Sequence, residues 1–108
     1  MSNRELSPEV TAELIARGDA QLVDVREPYE HEAGRIAGAR HLELGILPAE
    51  AETIDRDRPV VFYCRVGARS GMAAEAFAAS GWDAYNLSGG IVSWVVAGLP
   101  IEGEVAEH

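Results

Sequence analysis

The sequence has one cysteine in 108 residues, so no disulfide can close within the chain, and it does not read as a secreted disulfide scaffold. Basic residues are scarce: nine Lys and Arg stand against 18 Asp and Glu, a formal net charge of −9. Nucleic-acid binding needs clustered cations that neutralise phosphates, so this balance argues against a nucleic-acid partner. It argues equally against an anionic membrane surface. Long apolar runs are missing, and nothing approaches the roughly 18 consecutive apolar residues that span a bilayer. The first nine residues carry acids early and have no apolar h-region, so no signal peptide is expected. Repeats, low-complexity stretches and linkers are absent too. These absences predict a soluble, cytoplasmic, single domain over residues 1–108, with a tail from about 102 to 108 that is flexible. A chain of this length buries roughly two-thirds of the surface that it exposes when unfolded. The acids around Glu27–Glu32, Glu50–Asp57 and Glu102–Glu107 read as solvated surface.

What is present alternates between strand and helix. Ser7-Pro8-Glu9 is a helix start: a capping hydroxyl, a proline at the first helical position and an acid in the first turn. Val10, Leu14 and Ile15 give that helix an apolar face, and Gly18 ends it. A short strand follows at residues 21–25, then a polar, turn-rich segment to Gly38, a strand around Ala39–Leu42 and a short helix after Pro48. Pro59-Val60-Val61-Phe62-Tyr63 is a continuous apolar run of the kind found in a central parallel strand covered on both faces. Ser70–Ala79 reads as a helix closed by Gly81, residues 84–86 as a strand, and Ile91–Ala97 as a last helix before Gly98 and Pro100. The class is α/β with a mostly parallel sheet of about five strands and helices on both faces. Ligands in such sheets bind beyond the carboxyl ends of the strands.

One segment answers to that place. The strand ending at Tyr63 runs into Cys64-Arg65-Val66-Gly67-Ala68-Arg69, and a helix begins at Ser70. Successive backbone N–H groups of such a loop converge into an anion-binding nest, and the helix end adds unsatisfied donors and about half a positive charge. Both lower a thiol pKa, and Arg65 and Arg69 push the same way. Gly67 supplies unusual backbone angles for the loop to fold over the sulfur. Cys64 is therefore expected to be a reactive thiolate, with Arg65, Val66, Gly67, Ala68, Arg69 and Ser70 forming the substrate cradle. The competing reading is a buried, inert cysteine that packs as a small hydrophobe.

With these residues in view, the sequence resembles the rhodanese family along nearly its whole length. Leu22-Val23-Asp24-Val25-Arg26-Glu27-Pro28 is similar to the family's first strand-turn signature. Glu30 with Gly34-Arg35-Ile36-Ala37-Gly38-Ala39 resembles its second motif, Arg35 and Ala37 replacing the commoner His and Pro, with His31 where an aromatic is usual. The Cys64–Arg69 loop fits C-R-x-G-x-R, and Leu87-Ser88-Gly89-Gly90-Ile91 with Trp94 and Gly98-Leu99-Pro100 is similar to the closing segment. The resemblance implies a five-stranded sheet flanked by helices and a sulfurtransferase in which Cys64 cycles between thiol and persulfide. It also implies the partners: a small sulfur-containing anion such as thiosulfate, and a thiophilic acceptor (cyanide, a small thiol or a protein thiol). Mercaptopyruvate-using relatives carry C-G-S-G-x-T, so this loop is nearer to the thiosulfate-using type.

Other features carry less. Asp24 and Arg26 lie at the same sheet edge as the loop and are expected to pair with each other or support its shape. His31, His41 and His108 have no metal-ligand spacing, so no metal is expected. Gly89-Gly90 lacks the lysine and spacing of a phosphate loop, so no nucleotide and no other cofactor is expected; it turns the chain into the last helix. Trp82 and Trp94 read as packing residues, Trp94 facing the sheet. Two rival functions remain. A phosphatase or arsenate reductase on this fold uses C-x5-R, one residue longer than Cys64 to Arg69, and needs a general acid that is not evident. A silent protein-interaction module typically loses the cysteine, which is kept here.

Overall fold

Residues 4–105 are described in the computed structural model, and their elements follow the alternation of apolar runs with turn residues. In chain order they are β1 (Glu5–Leu6), α1 (Pro8–Ala16), β2 (Gln21–Asp24), α2 (Pro28–Ala33), β3 (Gly34–Arg35) and β4 (Arg40–His41). A 3-10 helix at Leu47–Thr53 precedes β5 (Val60–Tyr63), α3 (Ala68–Ala79), β6 (Ala84–Leu87), α4 (Gly90–Val96) and β7 (Glu102–Gly103). Five strands form one sheet in the order β1-β6-β5-β2-β4, every neighbouring pair parallel. A parallel sheet must be covered on both faces, because its crossover helices pack there.

The central strand shows how one run of sequence serves two cores. All four residues of β5 are buried, and side chains alternate across a strand. Val60 and Phe62 join a cluster with Ala73, Ala74 and Phe77 of α3, Leu47 of the 3-10 helix, and Trp82. Val61 and Tyr63 join Leu22, Leu87, Ile91 and Trp94 on the other face, beneath α1 and α4. Each Val, Leu, Ile or Phe side chain buried in this way contributes about 1.5–3 kcal/mol. Trp94 faces the sheet as expected, and its Nε1–H donates to the Pro100 carbonyl at 2.9 Å.

The structure departs from the sequence reading at several places. Ser7 caps α1 as expected, its hydroxyl accepting from the Val10 N–H, but Val10 is exposed and Thr11 is fully buried. The buried stripe runs through Thr11, Ala12, Leu14 and Ile15, leaving Val10 on the outer face with Glu9 and Glu13. The segment read as turns contains α2, which begins with Pro28 at its first turn while the Glu30 carboxylate accepts from the Glu27 N–H, the reach-back bond of a capping box. The strand expected at 39–42 shortens to β4, and the helix expected after Pro48 is a 3-10 turn beginning at Leu47. The helix after the loop starts at Ala68, two residues earlier than Ser70, and the last helix spans Gly90–Val96 rather than Ile91–Ala97. Two short pairings carried no readable pattern: β1 extends the sheet beside β6, and β3 pairs antiparallel with β7, at the head of the segment expected to be a flexible tail. His108 lies outside the described residues.

All five strands being parallel, their carboxyl ends share one edge. The loops after β2, β5 and β6 leave the sheet there side by side, with Asp24 paired in register with Tyr63 and Phe62 with Asn86. That edge carries Cys64.

Candidate active site

Cys64 follows β5 directly and is 1% exposed, at the border of the core beneath α3. Its sulfur is surrounded by donors. The Gly67 N–H donates to Sγ at 3.1 Å and the Ser70 N–H at 3.5 Å, and the Ser70 hydroxyl oxygen stands 3.3 Å away. Gly67 is the residue that caps α3, with φ of +103°. Only glycine takes such an angle without strain, and it folds the chain back so that its own N–H and that of Ser70, in the first turn of α3, aim at the sulfur instead of at solvent. Those groups have no partner inside the helix. Burial alone pushes the Cys64 thiol up, but the hydrogen bonds from the Ser70 hydroxyl and from the Ser70, Gly67 and Val66 N–H groups outweigh it and hold the pKa below its ordinary value. Donors rather than the expected arginines dominate the lowering.

Where Arg69 goes accounts for its part in this. The Arg69 guanidinium makes two hydrogen bonds to Glu30 of α2, at 2.9 and 3.1 Å, and each partner holds the other charged: Glu30 lies below the usual carboxylate range and Arg69 above its own. With its charge matched, Arg69 braces the start of α3 against α2. Arg65 is half-buried on the loop, Val66 and Ala68 are exposed, and Ser70 is fully buried. Of the expected cradle residues, Val66, Gly67 and Ser70 direct donors at the sulfur, while the Arg69 side chain is turned to Glu30.

Asp24 and Arg26 are not part of that ring. They form a buried ion pair, the Arg26 Nε–H and Nη2–H donating to Asp24 at 2.9 and 2.7 Å, and Arg26 also donates to the Gly34 carbonyl. Burial pushes the Asp24 carboxyl up, and its hydrogen bonds to Arg26 and His31 more than reverse that. His31 donates from Nδ1 to Asp24 at 2.8 Å and His41 from Nε2 to the Arg26 carbonyl at 2.8 Å, and the two imidazoles stack with centroids 4.4 Å apart. His31 and His41 thus form a partly buried stacked pair that ties α2 and β4 to the Asp24–Arg26 pair. Among the described residues no group of three or more His, Cys, Asp or Glu could hold a metal ion.

Sequence reasoning missed four contributors. Glu30 on α2 is the acid that pairs with Arg69. Gly90 presses against the outside of the loop: a Cβ there would lie 2.6 Å from the Cys64 carbonyl oxygen and closer still to the Arg65 carbonyl. That approach lets the Ile91 N–H donate to the Cys64 carbonyl at 3.0 Å and the Val92 N–H to the Arg65 carbonyl at 3.2 Å. A trans peptide sets its N–H opposite its C=O. Holding both carbonyls outward therefore turns the N–H groups of Arg65 and Val66 toward the interior of the loop. Asn86 on β6 donates to the Gly67 carbonyl and to the Glu5 carboxylate. An asparagine inside an apolar strand was the one readable signal, since Asn is depleted in strands; Glu5 had none.

The Rhodanese-like domain family matches residues 7–97. A sulfurtransferase of Allochromatium vinosum is 39% identical over 102 residues, covering 94% of this chain and 95% of its own. The thiosulfate sulfurtransferase GlpE of Actinobacillus succinogenes is 35% identical over 103 residues, covering 94% and 93%. The uncharacterized protein YqhL of Bacillus subtilis is 46% identical over 76 residues, which are 69% of this chain and 60% of that protein. Among solved structures, a rhodanese-related protein of Thermoplasma volcanium superposes with a TM-score of 0.86 at 30% identity, covering 94% of this chain and 99% of that one. A nest of backbone donors around a lone buried cysteine, on a five-stranded parallel sheet and with these relatives, places the chain in the rhodanese family.

Proposed function

We propose that the protein is a sulfurtransferase that carries sulfur as a persulfide on Cys64, loaded from thiosulfate or a similar donor and discharged to cyanide or a thiol. The observation that carries this reading is the ring of donors on Sγ, which makes a thiolate available in a site that burial would otherwise keep protonated. The thiolate attacks the outer sulfur of thiosulfate, a new S–S bond forms, the old one breaks, and sulfite leaves with its electron pair. No proton moves, so no general base beside the cysteine is required. The loop N–H groups then surround the anionic outer sulfur. Arg65 gives the loop a local cation that offsets the chain's net negative charge during encounter with an anion. The names of the Allochromatium and Actinobacillus relatives agree with this chemistry.

The near-complete burial of Cys64 supports sulfur over phosphate. A single sulfur atom adds to the thiol along one line, whereas a phosphoryl group brings three oxygens that each need a donor at about 2.7–3.1 Å. The spacing Cys64 to Arg69 points the same way. A protein-contact module without chemistry would have no use for donors trained on a thiol. The free thiol fits a reducing, cytoplasmic setting, and no helix among the described residues is long and apolar enough to cross a membrane. Intact-protein mass spectrometry tests the proposal. Thiosulfate should add one sulfur atom, cyanide should remove it, and Cys64→Ser should gain none. A wild-type protein that never gains sulfur refutes it.

A further inference from the structure

Cys64, Ser70, Asn86 and Glu5 form a continuous line of polar atoms beneath the loop, and their protons can be counted. Asn86 is 4% exposed. Its amide nitrogen stands 3.1 Å from each carboxylate oxygen of Glu5 and 3.1 Å from the Gly67 carbonyl oxygen. These are all acceptors, so the NH2 group must face them and the carboxamide has one orientation. Its Oδ1 then faces the Ser70 hydroxyl at 2.6 Å. Oδ1 has no proton, so Ser70 is the donor in that contact. The same hydroxyl oxygen lies 3.3 Å from Cys64 Sγ. A hydroxyl carries one proton and cannot give it to both.

We propose that the Ser70 hydroxyl is a toggle that follows the charge on the Cys64 sulfur, with Asn86 as its resting acceptor and Glu5 as the residue that locks Asn86. While Sγ is uncharged, as a thiol or as the inner sulfur of a persulfide, Ser70 donates to Asn86. When Sγ becomes anionic the O–H turns to it and the Asn86 contact is given up. On discharge, the acceptor forms a bond to the outer sulfur, the S–S bond breaks, and its electron pair stays on Sγ. The inner sulfur thus gains its charge, and Ser70's hydrogen bond, in the transition state and not before. Only interactions strengthened at that point accelerate a step. Ser70 touches the reacting sulfur; Asn86 and Glu5 are positioning residues that act through it. Asn86 competes with the thiolate for the Ser70 proton, so Ser70 and Asn86 oppose each other in setting the thiol's titration.

The discharge step rests on the sulfurtransferase reading, but the titration does not. The test is a double-mutant cycle on the pH profile of Cys64 alkylation by iodoacetamide, with wild type, Ser70→Ala, Asn86→Leu and the double variant. Arg65, Arg69, Glu30 and Glu5, the charged groups of the surrounding loop, α3, α2 and β1, are the same in all four. Ser70→Ala should raise the inflection and slow alkylation about tenfold on its acid side, the loss of a hydrogen bond to a charged group. Asn86→Leu should lower the inflection relative to its effect in the Ser70→Ala background. An Asn86 that only steadies the loop would cause the same change in both backgrounds, which overturns the proposal. Should Asn86→Leu fail to fold, Glu5→Leu at the exposed end of the line takes its place in the cycle, with the same sign expected. In a preloaded protein, Ser70→Ala should slow discharge by cyanide about tenfold in single turnover. Discharge within twofold of wild type, with an unmoved inflection, refutes the toggle and leaves the sulfurtransferase reading standing. The expected titration in a protein that never gains sulfur does the reverse.

Discussion

Gly90→Ala separates backbone strain from collision with the Cys64 loop. Gly90 has φ of +64°, so any side chain there is strained, and its Cβ would also run into the carbonyls of Cys64 and Arg65. Gly18, at the end of α1, has φ of +74° with nothing within 4 Å of a built Cβ. Both substitutions incur the left-handed strain, roughly 1–2 kcal/mol. Only Gly90→Ala must also push α4 off the loop and break the Ile91 and Val92 hydrogen bonds, each worth about 1 kcal/mol. The expected loss is therefore about 1–2 kcal/mol for Gly18→Ala and about 3–4 kcal/mol for Gly90→Ala, read from urea unfolding with matched slopes. Function should divide more sharply. Releasing the two carbonyls lets the Arg65 and Val66 N–H groups swing out of the loop, so thiosulfate loading in Gly90→Ala should fall about tenfold or more, and that of Gly18→Ala should match wild type. Equal stability losses with unimpaired loading in both variants would refute the claim that α4 holds the nest in shape.

Alkylation of wild-type Cys64 should show its inflection below about 8.5, because the donors hold the thiol below its ordinary value; an inflection at or above that value restores the inert cysteine. Arg26→Met, which strands Asp24 without its buried partner, should cost about 3–5 kcal/mol in urea unfolding. In wild type, the depressed Asp24 pKa means that its stabilising contribution is complete above about pH 4 and is lost as pH falls through the lower folded value. An acid titration of stability that is already falling well above pH 4 would contradict that assignment. Arg69→Ala removes a partly exposed pair and should lower stability by about 1 kcal/mol, yet slow sulfur loading about tenfold by unbracing α3; the reverse ordering would make the pair merely structural. A glycine inserted between Gly67 and Ala68 moves the Ser70 donors away from Sγ and should weaken loading, while the unaltered protein should show no appreciable hydrolysis of aryl phosphates. Loading unchanged by the insertion would show that loop length does not select sulfur.

Local signals were enough for the class of the fold and for singling out the loop on which the candidate site is built. A run such as Val60–Tyr63 can only be satisfied by burial on two faces, and Ser7-Pro8-Glu9 or Gly67 states its backbone geometry in its own covalent structure. Cys64 through Ser70 was legible for the same reason, since a strand end, a glycine and a helix start are neighbours in sequence. What required the tertiary structure was every partner drawn from elsewhere. Which acid holds Arg69 depends on where α2 docks, and the answer is Glu30, 39 residues away, while Asp24 is taken by Arg26. Thr11 rather than Val10 faces inward because the packing of α1 against α4 and the sheet, not composition, sets the rotation of that helix. The Ser70–Asn86–Glu5 line joins residues up to 81 positions apart through the β1–β6 pairing, and the nest's carbonyls are held by α4. Hydrogen bonds are short and directional, so their partners exist only once the sheet has placed α2, β6 and α4 around the loop.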